Sequence, residues 1–423
     1  MKTVPALITV ESAWAALVMF VVVCGCSKGG NKPDTKSDAQ FQTKLEAIRQ
    51  AGEPVTLSEW NAWYAEPPAG ENAATIYAEA FAALAPVDAS APSFLERNQR
   101  SLELLHQAAA KSQCRYPVDL NEGVKAPLPH LPRIKTCAQL LKQEADVNAG
   151  KGRTDLAAQS VIAGLRLARS LKQEPLLISQ LTREAVEGIV VSGLEQAMNR
   201  RALSEEQLAL LQEAFGEAEG GDKAAVTRCL AGERCAGIAL FQMTPRDQSK
   251  AVAVTLGTDR NGPTYSEDRI FFLDQMNSLI AAAGAPFPNN LELASHWSSQ
   301  VSEAQGKGYV IAAMLLPSLA KTLEKSAANA GDLRAAQAAL AVERYRLAHA
   351  NALPDSLSEL VPQYLIAVPA DPFDGNPLRY RKSSPKGYSV YSIGADREDD
   401  GGTPKPAGAA PGAPYDLTFT VRR

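Results

Sequence analysis

Apolar residues recur at helical spacing through most of this chain. In "SFLERNQRSLELLHQAAAKS", residues 93 to 112, Leu95, Leu102, Leu105 and Ala109 fall on one stripe, which predicts an amphipathic helix. "DAQFQTKLEAIRQAG" runs from an acidic start to a glycine stop, a second helix with both end signals. "PVTLSEWNAWYAEPPAG" offers a Thr/Ser cap before Glu59 and then a Pro-Pro break, and "SEEQLALLQEAF" opens on a capping-box pattern. Residues 133 to 171 read as two helices joined at "AGKGRT", with Ala145, Ala149, Ala157 and Gly164 small enough for close approach. The hairpin has a tetratricopeptide look, but no ~34-residue period repeats it along the chain.

The pattern changes twice. Between residues 244 and 308, "TPRDQSK", "GTDRNGPTYSED" and "GAPFPNN" interrupt short apolar stretches, which predicts an irregular connecting region. From Tyr309 a long helical stretch reaches "RLAHANALP". Two short alternating strands follow in "PLRYRKSSPKGYSVYSIG", then an acidic loop "ADREDDGG" and a terminal strand "YDLTFTV". The expected fold is mainly α: a helical bundle over residues 40–243, the connection at 244–308, and a small α+β module over 309–423 with a short antiparallel sheet.

Composition narrows the class of partner more than it names one. The chain has 423 residues, 45% of them hydrophobic, and a formal net charge of −4. A length of that size allows two or three domains at roughly 100–200 residues each. No basic field marks a nucleic acid as partner. The N-terminal segment, residues 1–26, carries the uncharged run "AWAALVMFVVV", of signal-peptide length and short for a bilayer span. It ends in Val23-Cys24-Gly25-Cys26, which resembles a bacterial lipobox. That resemblance implies acylation of Cys26, membrane attachment through the lipid, and residues 27–39 as a polar tether. The stretch around Ala6 and Glu11 also resembles a prepilin leader, with a glutamate five residues after a small one. Either processing route exports the chain.

Apart from Cys24 and Cys26, four cysteines stand in the sequence: Cys114, Cys137, Cys229 and Cys235. In an oxidising compartment four cysteines allow three pairings. Sequence neighbourhood favours Cys114–Cys137 and Cys229–Cys235, and the alternative is four buried thiols. Neither CxxC nor Cys/His zinc spacing occurs.

"DPFDGNPLRY", residues 371 to 380, holds the densest cluster of turn-forming residues. Asp371 and Pro372 suit a turn start, Gly375 and Asn376 tolerate positive φ, Pro377 ends the turn, and Tyr380 returns the chain to a strand. Its order with Tyr388, Tyr391-Ser392-Ile393-Gly394-Ala395-Asp396 and Asp399-Asp400-Gly401-Gly402 resembles the globular domain of the major pseudopilin of type II secretion. The resemblance covers about the last 110 residues, a quarter of the chain. Asp374 is an insertion relative to that pattern, "TPKPAGAAPGAP" lengthens the acidic loop, and a helical domain separates the module from the N-terminal apolar segment. The family binds a structural calcium in its acidic loop. The resemblance therefore implies Asp396, Asp399, Asp400 and Asp416 as side-chain ligands, and the alternative is a solvated acidic turn.

Catalytic motifs are absent: the chain has no GxSxG, HExxH or Walker sequence, and its four histidines, His106, His130, His296 and His349, stand in no nucleophile pattern. Arg133, Arg166, Arg169 and Arg183, around the helical hairpin, read either as a cationic groove or as members of surface salt bridges. The expectation is a non-enzymatic, exported, lipid-anchored envelope protein with structural or protein-interaction work, beside a secretion or pilus-like apparatus. A helical scaffold binding a peptide or small ligand in a bundle groove is the alternative, and a hydrolase the third.

Overall fold

A computed structural model describes residues 35–86, 94–242, 265–319, 321–383, 386–406 and 414–423. Cys26, the lipobox around it, the Ala6/Glu11 leader pattern and most of the tether lie outside the described residues. The protein is mainly helical, with one small antiparallel sheet.

Local sequence sets the first half. Helix α1 (Thr35–Gln50) is followed by α2 (Leu57–Trp63), which starts on a full capping box: Thr56 Oγ1 accepts the Glu59 N–H, and Glu59 accepts the Thr56 N–H. Two orphan donors of the first turn are satisfied in this way. Then come α3 (Ala74–Ala82), α4 (Phe94–Arg97) and α5 (Gln99–Ala109). The hairpin is present as α6 (His130–Gly150) and α7 (Thr154–Arg169), and both pack on α8 (Leu177–Arg200). Its small residues act as expected, with one difference of partner. Ala149 and Ala157 meet Ala197 of α8 in a small cluster, and Gly164 abuts Val190 of α8 rather than α6. A Cβ on Gly164 would stand 2.6 Å from Val190 Cγ2, so glycine sets the α7–α8 distance.

Helix α9 (Glu205–Glu219) again opens on a capping box, from Ser204 and Gln207, and α10 (Asp222–Phe241) follows it after the left-handed Gly221. The region expected to be irregular contains two long helices, α11 (Tyr265–Gly284) and α12 (Asn289–Gly306). The reason is visible in the burial. Phe272, Leu273, Met276, Leu279, Ala282 and Ala283 are all buried, a 3.6-residue stripe that the flanking loop residues mask in the sequence. With α1, α10 and the short α13 (Val310–Leu315) these helices enclose a second core around Phe41, Trp297 and Ile311. Fully buried Asp268 of α11 accepts the Ile311 and Ala312 N–H groups at 2.8 and 3.0 Å, capping α13 from a neighbouring helix. Burial raises that carboxyl to about 6.

Helix α14 (Thr322–Ala348) joins the two cores. Leu323 and Ala327 belong to the second, while Leu333 to Val342 belong to the first, together with the α6–α8 helices. The junction with α8 is polar and buried. Arg183, 1% exposed, pairs with Glu187 at 2.6 Å; Glu184 accepts Ser326 Oγ, and Glu187 accepts Asn329 Nδ2. Such a network is costly to disrupt because each remaining partner would be left buried and unpaired.

On α14 rests the sheet, in spatial order β1 (Arg379–Lys382), β2 (Tyr388–Ser392), β3 (Leu417–Val421), all antiparallel. Val390 lies opposite Tyr380 on one side and Phe419 on the other. Tyr388, Val390, Phe419 and Val421 are buried in the same core as the hairpin helices. Helix, sheet and hairpin thus share one interior.

Candidate functional site

A cleft of ≈ 740 Å³ opens where five segments of the helical half converge. Trp63, Tyr64 and Glu66 come from the end of α2, Gln113 and Cys114 from the segment after α5, and Arg169, Lys172 and Gln173 from the end of α7. Glu217 and Gly220 come from the end of α9, and Arg228 from α10. Helix ends and turns line most of it, so the side chains reach inward from several directions.

Two arginine–aromatic stacks mark this region. Arg228 lies over the Trp63 ring and Arg115 over the Tyr64 ring, each 4.6 Å from the centroid. Both glutamates of the cleft are already countered: Glu66 by Arg115 at 2.7 Å, Glu217 by Arg166 and Arg169 at 3.0 and 3.4 Å. Arg169 also donates to Ser112 O, and Lys172 to Gly220 O. Arg228 differs: among the described residues no carboxylate or hydrogen-bond acceptor meets its guanidinium. Burial without a counter-charge holds its pKa below the usual arginine value. Of the four arginines singled out around the hairpin, Arg166 and Arg169 reach the cleft edge, Arg133 is exposed elsewhere, and Arg183 is internal.

Beneath the floor, Glu174 gathers hydrogen bonds in a buried site. Its carboxylate meets His130 Nε2 at 3.1 Å, Tyr64 Oη at 3.3 Å and Ser179 Oγ at 2.5 Å. The His130 ring stacks on Tyr116, with centroids 4.4 Å apart. A parallel cluster puts Glu144 between His106 Nε2 and Ser160 Oγ, both at 2.8 Å. In each case the carboxylate is the hub. Among the described residues no serine or cysteine is hydrogen-bonded to either imidazole, so neither cluster has a nucleophile beside a base. His296 contacts Gln300 on the surface, and His349 stacks on Tyr345.

The four cysteines among the described residues are free thiols, the alternative to the expected pairs. Cys229 and Cys235 share helix α10 six residues apart, about 9 Å along the axis at 1.5 Å per residue, beyond disulfide reach. Cys229 donates to Val226 O and Cys235 to Thr56 O. Cys137 faces Ser101 of α5, while Cys114 borders the cleft. Desolvation pushes the thiols of Cys114, Cys137 and Cys235 up to about 12, so Cys114 faces the cleft as a neutral thiol.

The opening turn of the sheet is a folding device. Asp371, 1% exposed, accepts Phe373 N–H and Ser392 Oγ on one oxygen, and Ile393 N–H and Arg379 Nη1 on the other. It ties the turn to the start of β1 and the end of β2. Asp374 holds Arg379 Nη2 at 2.5 Å and closes on Asn376, while Gly375 takes φ +78°. Pro377 bridges back to Ala370, and the Tyr380 ring packs 5.9 Å from Tyr388.

In the acidic loop, Asp396 and Asp399 are exposed and accept the Glu398 and Gly401 N–H groups. Buried Asp416 accepts N–H groups from Gly402 and Thr403 at 2.7 and 3.2 Å. Burial, with some repulsion from Asp399, raises its carboxyl above the usual range. Asp400 Oδ2 is buried with no hydrogen-bond partner. The donors are all oxygens, as a hard cation requires, and one is orphaned. Among the described residues, however, no group of three or more His, Cys, Asp or Glu is placed to hold a metal. Nor is any described helix long and apolar enough to cross a membrane.

Fold and cleft together define a mainly helical protein carrying a small antiparallel sheet. No family model, curated protein or solved structure matches the chain.

Proposed function

We propose that the chain is an exported cell-envelope protein, lipid-anchored through Cys26, whose work is protein interaction rather than catalysis. The observation that carries the interaction reading is the cleft. It is large, open, and lined by aromatic and charged side chains from five segments. Attachment and export rest on the lipobox resemblance. A role beside a secretion or pilus-like apparatus rests on the pseudopilin-like order of the last 110 residues. Burial of that module's sheet against α14 and α8 suits a fixed platform better than a fibre subunit, which needs its own stem. Within this reading a calcium ion would be held in the acidic loop by Asp400, Asp416 and loop carbonyls, two of the four aspartates that the resemblance implies, Asp396 and Asp399 being exposed. The ion would supply charge for the orphaned oxygen and cross-link the β2–β3 connection.

Intact mass of the membrane-extracted chain tests the anchor: an acylated N-terminal Cys26 is expected. A methylated chain beginning at Leu7, or an uncleaved Met1, overturns it. Chemical cross-linking in membranes, followed by identification of the linked proteins, tests the association. Pilin-like partners are expected, and their absence from the cross-linked set removes the apparatus role. The second reading, a scaffold for a small ligand, draws on the same cleft and predicts saturable binding without any envelope partner.

A further inference from the structure

The structure assigns the ligand class of the cleft: we infer that Arg228, stacked on Trp63, is the receptor for a carboxylate of an acidic peptide segment. This inference rests on the interaction reading and specifies what the cleft recognises. Trp63 lies beside the guanidinium, whose carbon stands 4.6 Å from the ring centroid, and among the described residues no acceptor meets its N–H groups, which leaves that fork to a bidentate partner. A carboxylate matches that fork in both geometry and charge.

Charge accounting favours a carboxylate over a phosphate. Arg115 is committed to Glu66, and Arg166 and Arg169 to Glu217, while Arg169 and Lys172 also donate to backbone carbonyls. Arg228 is left with the Trp63 ring beside it and, among the described residues, no carboxylate. A single negative charge completes it, whereas a dianion would leave charge of its own uncompensated in a partly desolvated site. The surroundings suit a peptide rather than a lone anion. Exposed Gln113 and Gln173 offer amide donors and acceptors to a backbone, and Trp63 and Pro67 offer apolar faces beside them. On a protein of net charge −4, the positive cleft also selects acidic segments against the repulsion of the remaining surface.

The test uses the full chain in detergent and a fluorescein-labelled hexapeptide of alternating alanine and glutamate, read by fluorescence anisotropy. The same peptide with glutamine in place of glutamate, and inorganic pyrophosphate, are the controls. Saturable binding of the acidic peptide is expected, with about tenfold or greater weakening for the glutamine peptide and for Arg228→Met, as for loss of a charge-assisted pair. Arg228→Lys keeps the charge without the fork and is expected to fall between the two. Equal binding by Arg228→Met, or by the glutamine peptide, overturns the inference. Displacement by pyrophosphate at lower concentration than by unlabelled peptide also overturns it, in favour of a phosphate site. The two readings fail separately. Envelope cross-links that survive in Arg228→Met, together with no peptide binding, remove this inference and leave the interaction reading. Peptide binding by a chain that forms no envelope cross-links does the reverse.

Discussion

Gly232 of α10 is where the packing around the cleft can be tested most sharply. A Cβ built there would stand 2.1 Å from the Pro175 carbonyl oxygen and 2.8 Å from Trp60 Nε1. An ordinary contact begins near 3.4 Å, so Gly232→Ala obliges α10 to retreat from the chain before α8 by roughly 1.3 Å. Neither neighbour yields easily, because one is backbone and the other is an indole only 1% exposed. Overpacking of this kind costs about 1–3 kcal/mol, and a backbone clash belongs at the upper end. Alanine returns about 1 kcal/mol through helix propensity. The net expectation is a loss of about 2 kcal/mol. Gly188→Ala in α8 is the control: its Cβ would meet nothing within 4 Å, so the propensity gain of up to about 1 kcal/mol should appear alone. Urea unfolding followed by far-ultraviolet circular dichroism reads both. Arg228 lies one helical turn before Gly232, and Trp63 one turn after Trp60. The displaced helix should therefore also loosen the Arg228–Trp63 stack and weaken acidic-peptide binding. A Gly232→Ala protein as stable as the parent, or one destabilised with full peptide affinity, would refute this account of how the helices hold the cleft.

Three further outcomes follow from carboxyls that the fold desolvates or ties down. Desolvation raises Glu233 to about 7, Asp332 to about 7 and Asp268 to about 6, so the folded chain retains protons that the unfolded chain releases near pH 4. Stability should therefore fall as pH rises from about 4 to 7, by on the order of 3 kcal/mol for Glu233 alone at about 1.4 kcal/mol per pH unit. Glu233→Gln keeps an acceptor for the Leu177 N–H and should flatten part of that slope; an unchanged slope in urea titrations from pH 5 to 8 counts against it. Asp371→Asn, which weakens the pairing with Arg379 and misplaces a donor against the Ile393 N–H, should cost about 2–3 kcal/mol by urea unfolding, against less than about 1 kcal/mol for a surface control, Asp396→Asn. For the acidic loop, millimolar calcium should raise the melting temperature of the full chain and Asp400→Asn should abolish the rise; no shift at millimolar calcium removes the ion from the reading.

What the sequence makes legible follows from the range of the interactions involved. The hairpin of α6 and α7 is encoded by local signals, a glycine stop and a Thr154 restart, and so is the shape of the 371–380 turn, from Gly375 and the Asp371–Phe373 bond, whereas the bonds of Asp371 to Ser392 and Ile393 reach some twenty residues on and are not legible locally. Helices α11 and α12 have an equally regular apolar stripe, but the loop-forming residues around them read as an irregular connection. Only a second core, built with α1 from over two hundred residues away, explains the stripe. The thiols fail for a related reason: proximity in sequence favours Cys229–Cys235, and proximity on a rigid helix forbids it.

The cleft is the extreme case, because Trp63 and Arg228 carry no shared motif and meet only through the packing of α2 on α10. An arginine on a helix has a salt bridge or solvent as its ordinary expectation, and Arg166 and Arg169 obey it. What distinguishes Arg228 is that no carboxylate meets it among the described residues, which no single segment can reveal. Partial burial makes that omission costly, while the indole face makes it tolerable by lending the cation a weaker partner. A stable fold has cheaper ways to cover Trp63, such as a leucine or methionine at position 228. The guanidinium at position 228 is therefore better explained by what enters the cleft than by what surrounds it, and Arg228→Met separates the two: a gain in stability with a loss of acidic-peptide binding marks a residue that serves its ligand.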